Sequence, residues 1–418
     1  MIEFFGLNFD TDFVSWLYTL TIFQIISILI FAVIDVGRNF GKIIALTIDH
    51  IKFKRTYVRK VMTNHPKITL LVPAHNESVS IKKTIISILE NNYPNKEIII
   101  IDDHSTDDTF EQANEFAKKG LIRIFKRREG KGSKAAAINF GGVYATGDVL
   151  MIMDGDTLIE RNVLKQIAKY MDDPKVAAVA GNVRILSGDG GIRNILTRSQ
   201  SYEYVIAFEL GRRVRNIMNI LVIIPGAFGA FRKEMAKKVG LYDKDTITED
   251  FDLTIKVFKT GQKVLFISDA IAWTFCPTTW KGWFRQRLRW THGQMATLLK
   301  HKDIITSKNV VYKNLFILAV FDMLFMDIIL IILRFASLIW IVFFGFTENL
   351  VYAFVLLMIV YLINESIAFL ASAIFSPNRE DLKYVYLLPF IFLVYRPAYA
   401  MVRLYAVISA FIKKDIKW

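Results

Sequence analysis

The chain has apolar ends and a mixed polar middle, and its first apolar run is Phe13–Ile34. This run has 22 residues and no charged side chain. As a helix it would be about 33 Å long, enough to cross a hydrocarbon core about 30 Å thick. Acidic residues precede it, which argues against a cleaved signal peptide, and several Lys and Arg residues follow it. The pattern predicts a membrane anchor, with the N-terminus outside and the chain from residue 40 onward in the cytosol.

A second apolar block begins near Leu315. Leu315–Phe346 is longer than one upright span, and Leu350–Phe375 is a further candidate span. Tyr384–Ile412 is interrupted by Arg396-Pro397, so it is either a re-entrant or surface-lying segment or a third span. Polar residues inside these runs are either paired between helices or line a path for a polar polymer or a lipid head group. They are Asp322, Asp327, Arg334, Asn364 and Glu365.

Between about residues 65 and 275, short apolar runs alternate with segments of helical periodicity. Continuous runs of Ile and Val separated by helices are typical of a parallel sheet that is covered on both faces. The middle region is therefore predicted to have an α/β fold with a doubly wound, mostly parallel sheet. The predicted strands are Ile68–Val72, Glu97–Ile101, Leu121–Phe125 and Val149–Met153, and the predicted helices are Ser80–Asn92, Asp107–Lys119 and Lys134–Ala145.

Polar clusters follow three of these strands at the point where each strand ends. Pro73-Ala-His-Asn-Glu77 follows the first, Asp102–Asp107 follows the second, and Asp154-Gly-Asp156 follows the last. Ligands bind beyond the carboxyl ends of the strands in such sheets, so the three clusters are expected at one edge.

The Asp154-Gly-Asp156 cluster places two carboxylates close together. Hard oxygen ligands of this kind suit Mg²⁺ or Mn²⁺, which in turn bridges a diphosphate. The alternative is that the same Asp-x-Asp motif forms an ordinary turn with no ligand. Asp102 and Asp103 either cap the next helix or bind a ligand. Asp107 is the better cap, which leaves Asp103 free to accept a hydrogen bond from a nucleobase.

Three further segments each allow a structural and a functional interpretation. Thr248-Glu249-Asp250 is either a capping box or the site of a general base at Asp250. The segment Trp280–Trp290 is either a membrane-interface belt or part of a binding site. A basic cluster is either a solvated face or a group that neutralises a diphosphate; it consists of Arg127, Arg128, Lys131 and Lys134.

Composition narrows the class of protein. Apolar residues make up 53% of the chain, above the roughly 45–50% of soluble domains, and the net charge is +14. Such a charge points to an anionic partner, but part of it flanks the apolar runs and part lies at the predicted site, so a nucleic-acid partner is not expected. The single cysteine, Cys276, excludes an intrachain disulfide framework and a Cys-rich zinc module.

Seven motifs in order resemble the membrane-bound family 2 glycosyltransferases of GT-A fold, the family of cellulose, chitin, hyaluronan and poly-N-acetylglucosamine synthases. The resemblance runs from about Val72 to Lys300. The chain departs from the family pattern at Ser133, because the family often has glycine at the position before the lysine that corresponds to Lys134. The motifs are PAHNE, IIDDHSTDDT, KAAAIN, DGDT, GAFGAFRKE, TED and QRLRW.

The resemblance implies a role for each matching residue. Asp250 would be the catalytic base, Asp154 and Asp156 would hold Mg²⁺ or Mn²⁺, and Trp290 with Glu249 would contact the acceptor. Asp103 would hold the uracil. The residues assigned to donor binding are Pro73, His75, Glu77, Asp103, Lys134, Asp154, Gln286 and Arg289.

The resemblance also implies an activity and a domain order. The expected activity is inverting transfer from a UDP-sugar, with UDP-N-acetylglucosamine favoured, to a growing β-linked polysaccharide at the cytosolic face of the cell membrane, with processive export. The alternative is non-processive transfer to a membrane lipid. The expected divisions are an anchor (1–40), a basic linker (41–64), a cytosolic GT-A domain (65–275), interfacial helices (276–313) and a C-terminal membrane domain (314–418).

Overall fold

The computed structural model describes residues 34–56, 62–130, 132–188, 191–306, 313–324, 331–332 and 348–412. The predicted anchor Phe13–Ile34 therefore lies outside the described residues except for Ile34. Much of Leu315–Phe346 and the basic residue Lys131 also lie outside them.

A single mixed sheet of eight strands forms the centre of the described middle region. The strand order is β3-β2-β1-β4-β7-β6-β8-β5. From the pairings, β5 and β7 run opposite to the other six strands. The strands are β1 Ile68–Ala74, β2 Lys96–Asp103, β3 Arg123–Arg127, β4 Val149–Met153, β5 Leu158–Ile159, β6 Val176–Gly188, β7 Phe228–Arg232 and β8 Lys263–Cys276.

Helices lie between these strands and continue after β8. The helix α6 leads into a π-helix, Ile206–Arg212, and the last helix, α15, is preceded by a 3₁₀-helix, Arg379–Leu387, the one-turn α14 and a π-helix, Ile391–Tyr395. The α-helices are α1 Val36–Thr56, α2 Ile81–Leu89, α3 Thr109–Lys118, α4 Lys134–Val143, α5 Val163–Met171, α6 Ile195–Val205, α7 Arg213–Ile217, α8 Lys233–Lys238, α9 Glu249–Lys259, α10 Trp280–Lys300, α11 Asp303–Thr306, α12 Lys313–Leu324, α13 Glu348–Ile374, α14 Leu388–Phe390 and α15 Arg396–Ile412.

The first half of the sheet agrees with the predicted α/β pattern. Strands β1, β2 and β4 are buried almost throughout, which explains their uninterrupted apolar sequences. Strand β3 begins two residues later than predicted and includes charged residues. It is an edge strand and is only partly buried, so its exposed positions accept Lys and Arg.

Within the described residues, one helical run, Arg379–Ser409, is long and apolar enough to cross a membrane. The predicted break at Arg396-Pro397 is not a break, because the chain remains helical there. Proline lacks the N–H that donates to the preceding turn of an α-helix. The turn just before it, Ile391–Tyr395, is π-helical, so the hydrogen-bond pattern changes there while the helix continues. The candidate span Leu350–Phe375 forms α13, Glu348–Ile374.

The polar residues in the C-terminal helices are paired with partners from other elements. Asp322 bonds to Arg38 and Arg215, each at 2.8 Å. Glu365 bonds to Arg396 at 2.8 Å. Asn364 accepts a hydrogen bond from Asn39 at 3.3 Å. For these residues the structure supports pairing between elements, whereas Asp327 and Arg334 lie outside the described residues.

Candidate active site

The loops after β1 and β2 are bonded to each other, as the sequence predicted. His75 Nδ1 lies 2.8 Å from the backbone oxygen of Asp103. The Asn76 side chain accepts from the backbone N–H of Thr106 at 2.8 Å, and the Asn76 backbone N–H donates to the Ser105 hydroxyl at 3.1 Å. Asn76 has φ +57°, a left-handed conformation that asparagine adopts more readily than most residues. The first two polar clusters therefore form one unit.

Pro73 and Glu77 are held at the two ends of the PAHNE segment. Pro73 pairs with Ile101 of β2, beyond the end of the pairing between β1 and β4, where a proline is tolerated. The Glu77 N–H donates to Thr109 at 2.7 Å, and its carboxylate accepts from Ser80 at 2.7 Å. The same carboxylate contributes to the raised pKa of Asp156, so Glu77 faces the third cluster.

Asp103 is nearly buried, and it is not the free acceptor that the sequence suggested. Its carboxylate accepts from Arg127 at 2.5 Å, from His104 Nδ1 at 2.9 Å and from the backbone N–H of Ser133 at 3.0 Å. Asp102 bonds to Arg128 at 2.8 Å. The largely buried Arg127 and the exposed Arg128 therefore neutralise this acidic pair.

Asp107 is not the N-cap of α3 that the sequence predicted, because Asp108 occupies that position and makes no side-chain capping bond. Asp107 accepts from the backbone N–H and the hydroxyl of Thr109, at the start of α3. It also accepts from the backbone N–H of Ser78 at 3.1 Å. Burial alone would raise the pKa of Asp107, but these hydrogen bonds lower it to about 2.

Lys134 lies between Asp154 and the TED segment. Its ammonium forms an ion pair with Asp154 and donates to the backbone oxygen of Gly226 at 3.0 Å. Burial would lower the pKa of Lys134, but the carboxylates of Asp154, Glu249 and Asp250 raise it. The departure at Ser133 has a structural explanation, because the Ser133 hydroxyl caps α4.

Asp156 is half-buried and lies beside other carboxylates. Its carboxylate accepts from the hydroxyl of Thr274, on β8, at 3.3 Å. Burial, followed by the carboxylates of Asp154 and Glu77, raises the pKa of Asp156 to about 7. A group with such neighbours gains from a bound cation, which is the property expected of a metal ligand.

The residues present fit a hard divalent cation only in part. Asp154 and Asp156 are carboxylate donors of the type that Mg²⁺ and Mn²⁺ prefer. Within the described ranges, no group of three or more His, Cys, Asp or Glu side chains is arranged to hold a metal ion. Mg²⁺ usually keeps waters and takes oxygens from substrate phosphates, so two carboxylates are compatible with a site that the donor completes.

Asp250 and Glu249 occupy the first turn of α9. Asp250 accepts from the backbone N–H of Gly226 at 2.7 Å and from that of Phe251 at 2.8 Å. A Cβ at position 226 would lie 3.2 Å from Asp250 Oδ2 and 3.1 Å from Lys134 Nζ, so glycine allows this close approach. Burial is the main cause that raises the pKa of Glu249, and the Asp250 carboxylate adds to it.

The capping-box interpretation of this segment is wrong. Thr248 makes no side-chain capping bond to α9. Its hydroxyl lies instead 3.0 Å from the hydroxyl of Thr297 on α10. A Cβ at Gly293 would lie 2.4 Å from the Thr248 methyl group. Gly293 therefore lets α10 contact the TED segment directly.

The QRLRW segment forms part of α10 and is organised by Arg287. Arg287 is buried, bonds to Glu203 at 2.8 Å and lies 4.3 Å from the centre of the half-buried Trp290 ring. Gln286 accepts from Arg287 at 2.6 Å. Arg289 is exposed, and its charge acts on Glu249.

Arg212 was not predicted from the sequence. It ends the π-helix Ile206–Arg212, and its guanidinium lies 4.1 Å from the centre of the Phe208 ring. Its Nη1 is buried and has no hydrogen-bond partner within the described residues. Burial lowers the pKa of Arg212 to about 10, against the attraction of Tyr204 and Asp250. No motif marks it, because only the packing of the π-helix brings it near Asp250.

Comparisons with known proteins match this chain to glycosyltransferases. Residues 69–240 match the sequence model of the family described as "Glycosyl transferase family 2". The chain is 34% identical over 249 residues to the "Probable glycosyltransferase YdaM" of Bacillus subtilis. It is 33% identical over 234 residues to the "Poly-beta-1,6-N-acetyl-D-glucosamine synthase" of Staphylococcus epidermidis. The matches cover 58% and 56% of this chain, and the chain spans the same shares, little more than half, of these relatives.

The fold is also shared with a solved structure. The mannosyltransferase PcManGT from Pyrobaculum calidifontis, in complex with GDP-Man and Mn²⁺, superposes with a TM-score of 0.56 at 19% sequence identity. The match covers 92% of this chain and 98% of that one. Residues 69–240 therefore match the family 2 glycosyltransferases, as the motifs predicted, and the described sheet is GT-A-like.

Proposed function

We propose that the chain transfers a sugar from a UDP-sugar to the growing end of a β-linked polysaccharide, with inversion at the anomeric carbon. One observation carries this proposal: a chain of contacts joins the expected nucleotide end of the site to the expected base. Asp103 accepts from Ser133, the neighbouring Lys134 bonds to Asp154 and Gly226, and Gly226 donates to Asp250. A donor and an acceptor would meet where this network ends.

In the donor half of the site, the UDP-sugar would be bound mainly through the charge of its diphosphate. Lys134, Arg289 and Gln286 supply cationic and amide donors for a diphosphate, and the β1 and β2 loops supply the nucleoside pocket with His75, Glu77 and Asp103. Since Asp103 already has three donors, uracil would replace one of them, and the partly exposed His104 is the partner best placed to yield. Mg²⁺ or Mn²⁺ bound by Asp154 and Asp156 would neutralise charge on the diphosphate.

In the acceptor half of the site, Asp250 would activate the acceptor hydroxyl. An acceptor hydroxyl gives its proton to the Asp250 carboxylate as its oxygen forms a bond to the anomeric carbon. The bond from that carbon to the diphosphate breaks in the same displacement, so an α-linked donor gives a β-linked product. Gly226 and Phe251 hold the carboxylate in place, and Trp290 and Glu249 border the acceptor path.

The identity of the substrate and the location of the protein are proposed on further grounds. The Staphylococcus relative, named as a poly-beta-1,6-N-acetyl-D-glucosamine synthase, supports UDP-N-acetylglucosamine as donor and a polymer as acceptor. The run Arg379–Ser409 and the predicted anchor support an integral protein of the cell membrane, with the site on the cytosolic face and the product exported.

The test is a donor panel on purified protein. UDP-N-acetylglucosamine, UDP-glucose, UDP-glucuronate and GDP-mannose are incubated separately with Mg²⁺ or Mn²⁺, and release of nucleoside diphosphate and product size are measured. We expect release from UDP-N-acetylglucosamine and a high-mass product. Chloroform-extractable monoglycosides as the sole product would favour the lipid-acceptor alternative, and turnover of GDP-mannose alone would overturn the donor assignment.

A further inference from the structure

A second cavity lies apart from the candidate active site. Its volume is about 370 Å³, within the range of about 300–1,000 Å³ that is typical of small-ligand sites. None of the described residues that line it has been assigned to the glycosyltransferase site. The lining comes from the end of β6, from Arg193 and α6, and from the 3₁₀-helix Arg379–Leu387.

Cations and tyrosines define the chemistry of this cavity. Arg193, Arg198 and Lys383 all line it, together with Tyr384 and Tyr386. Arg198 donates to the Tyr386 hydroxyl at 3.2 Å, and Lys383 bonds to Glu380 at 2.7 Å. Three cationic side chains around one space favour an anion, and guanidinium groups suit the oxygens of a phosphate in particular.

Apolar side chains are exposed directly beside these cations. Ile192 and Ile195 flank Arg193, and Leu382 flanks Lys383; they are 54%, 49% and 39% exposed. The 3₁₀-helix also begins the run Arg379–Ser409, which is apolar and long enough to cross a membrane. Cations at the start of such a run, with apolar neighbours, are typical of the level where lipid head groups lie.

We propose that this cavity binds the phosphate of an anionic membrane phospholipid, with Arg193, Arg198 and Lys383 around the head group and the acyl chains along the neighbouring apolar side chains. The proposal rests on the membrane placement given under Proposed function, and it is independent of the donor and acceptor assignments. A soluble phosphate ester would satisfy the same cations but would leave the apolar side chains uncovered.

The test measures binding without turnover. The full chain in dodecyl maltoside micelles is titrated with phosphatidylglycerol that carries a fluorophore on one acyl chain, and fluorescence anisotropy gives the affinity. The triple variant Arg193→Gln/Arg198→Gln/Lys383→Gln should bind at least tenfold more weakly than the wild type. A matched variant, Lys118→Gln/Lys119→Gln/Lys238→Gln, removes the same charge from exposed positions elsewhere and should bind within twofold of the wild type.

Two further arms identify the ligand and guard against misfolding. Labelled phosphatidylcholine should bind at least tenfold more weakly than phosphatidylglycerol, and sn-glycerol 3-phosphate should not displace the labelled lipid at equal concentration. Arg198→Lys should keep the affinity within about threefold, and the midpoint of thermal unfolding of every sample reports on folding. Equal loss in the matched variant would show general charge attraction and overturn the site, and displacement by glycerol phosphate would overturn the lipid. Loss of glycosyltransferase activity in the donor panel would leave this binding result unchanged.

Discussion

The proposed nucleotide end of the site (Asp102–Asp107) and the proposed acceptor end (Glu249 and Asp250) use acidic residues in opposite ways. At the nucleotide end, Asp102 and Asp103 are matched by Arg128 and Arg127, and hydrogen bonds lower the pKa of Asp107 to about 2. At the acceptor end, Glu249 and Asp250 are adjacent, and burial with the neighbouring carboxylate raises the pKa of Glu249.

This difference indicates that the nucleotide end is preorganised for binding and that the acceptor end is poised for reaction. Most carboxylate oxygens at the nucleotide end have a hydrogen-bond donor, with Asp102 Oδ1 as an exception within the described residues, so this end would hold a nucleoside with little rearrangement. The acceptor end keeps charge that its own side chains do not fully balance, and Arg212 Nη1 has no hydrogen-bond partner within the described residues. Groups of this kind gain their charge and hydrogen-bond partners from a bound substrate, and perturbed pKa values are expected at such sites.

The largest expected effect comes from the group between the two ends. Asp156→Asn should abolish turnover and metal-dependent UDP binding together, because it removes a carboxylate whose pKa is raised to about 7 by burial and then by Asp154 and Glu77. UDP release and UDP affinity are measured with Mg²⁺, with Mn²⁺ and with EDTA. Asp108→Asn, at an exposed position, is the control. Activity that is insensitive to EDTA would argue against a metal at this position.

Asp250→Asn should separate the two ends. The variant keeps the size of the side chain and removes the proton acceptor, so we expect turnover to fall by about 10²–10⁴ while UDP affinity stays near the wild-type value. One of the two backbone N–H groups now bonded to Asp250 would lose its acceptor, so thermal stability is measured as well. Asp245→Asn, whose side chain is 74% exposed, should have no effect. A collapse of UDP affinity would show that the base is a different carboxylate.

Gly293→Ala tests whether α10 positions the TED segment. The new methyl group would meet Thr248 Cγ2 at 2.4 Å, and a displacement of about 1 Å near reacting groups can reduce turnover by about 10²-fold. We expect turnover to fall by about 10–100-fold with UDP affinity unchanged. Thr248→Ser removes the clashing methyl group and keeps the hydroxyl that contacts Thr297, so the double variant should recover part of the activity. Equal activity in Gly293→Ala and the wild type would exclude this positioning role.

The sequence predicted the framework of the nucleotide end well. Buried strands leave uninterrupted apolar runs, and the rule that ligands bind at the carboxyl ends of parallel strands brought PAHNE, the Asp102–Asp107 segment and Asp154-Gly-Asp156 together. Partners could not be predicted in the same way. Asp103 meets Arg127 across 24 residues and Ser133 across 30. Such pairings depend on side-chain packing, which leaves no periodic signal.

The acceptor end was predicted less completely for the same reason. The TED and QRLRW motifs located Asp250 and Trp290, but spacing alone did not distinguish the buried Arg287 from the exposed Arg289. The contact of Gly293 with Thr248 joins two elements that are distant in the chain. Arg212 reaches the neighbourhood of Asp250 from a π-helix, and π-helical turns have no simple sequence signature.

The smallest expected effect concerns Trp290, and it tests whether the acceptor end binds sugar through an aromatic surface. Trp290 is fixed by Arg287, 4.3 Å from the ring centre, and Arg287 is fixed by Glu203. Trp290→Ala should weaken acceptor binding by about 1–3 kcal/mol, by analogy with flat rings that stack on aromatic side chains. The affinity for UDP should survive, because the groups around Lys134 are untouched. The readouts are the KM for an acceptor oligosaccharide, polymer yield and UDP affinity.

Two outcomes distinguish an acceptor platform from a membrane-interface anchor. Trp290→Phe keeps an aromatic face and a ring for Arg287, so a platform predicts an acceptor KM between those of the wild type and Trp290→Ala. An interface anchor predicts lower membrane retention in Trp290→Ala with unchanged catalysis per folded molecule. If UDP affinity instead falls together with acceptor binding, the loss of the Trp290 ring must also disturb the binding of the diphosphate. The path would run from Arg287 to Gln286, which accepts a hydrogen bond from Arg287 at 2.6 Å and is assigned to the diphosphate. The nucleotide and acceptor ends would then be coupled through α10, and the contrast between a balanced and an unbalanced half would apply to their charges but not to their binding energies.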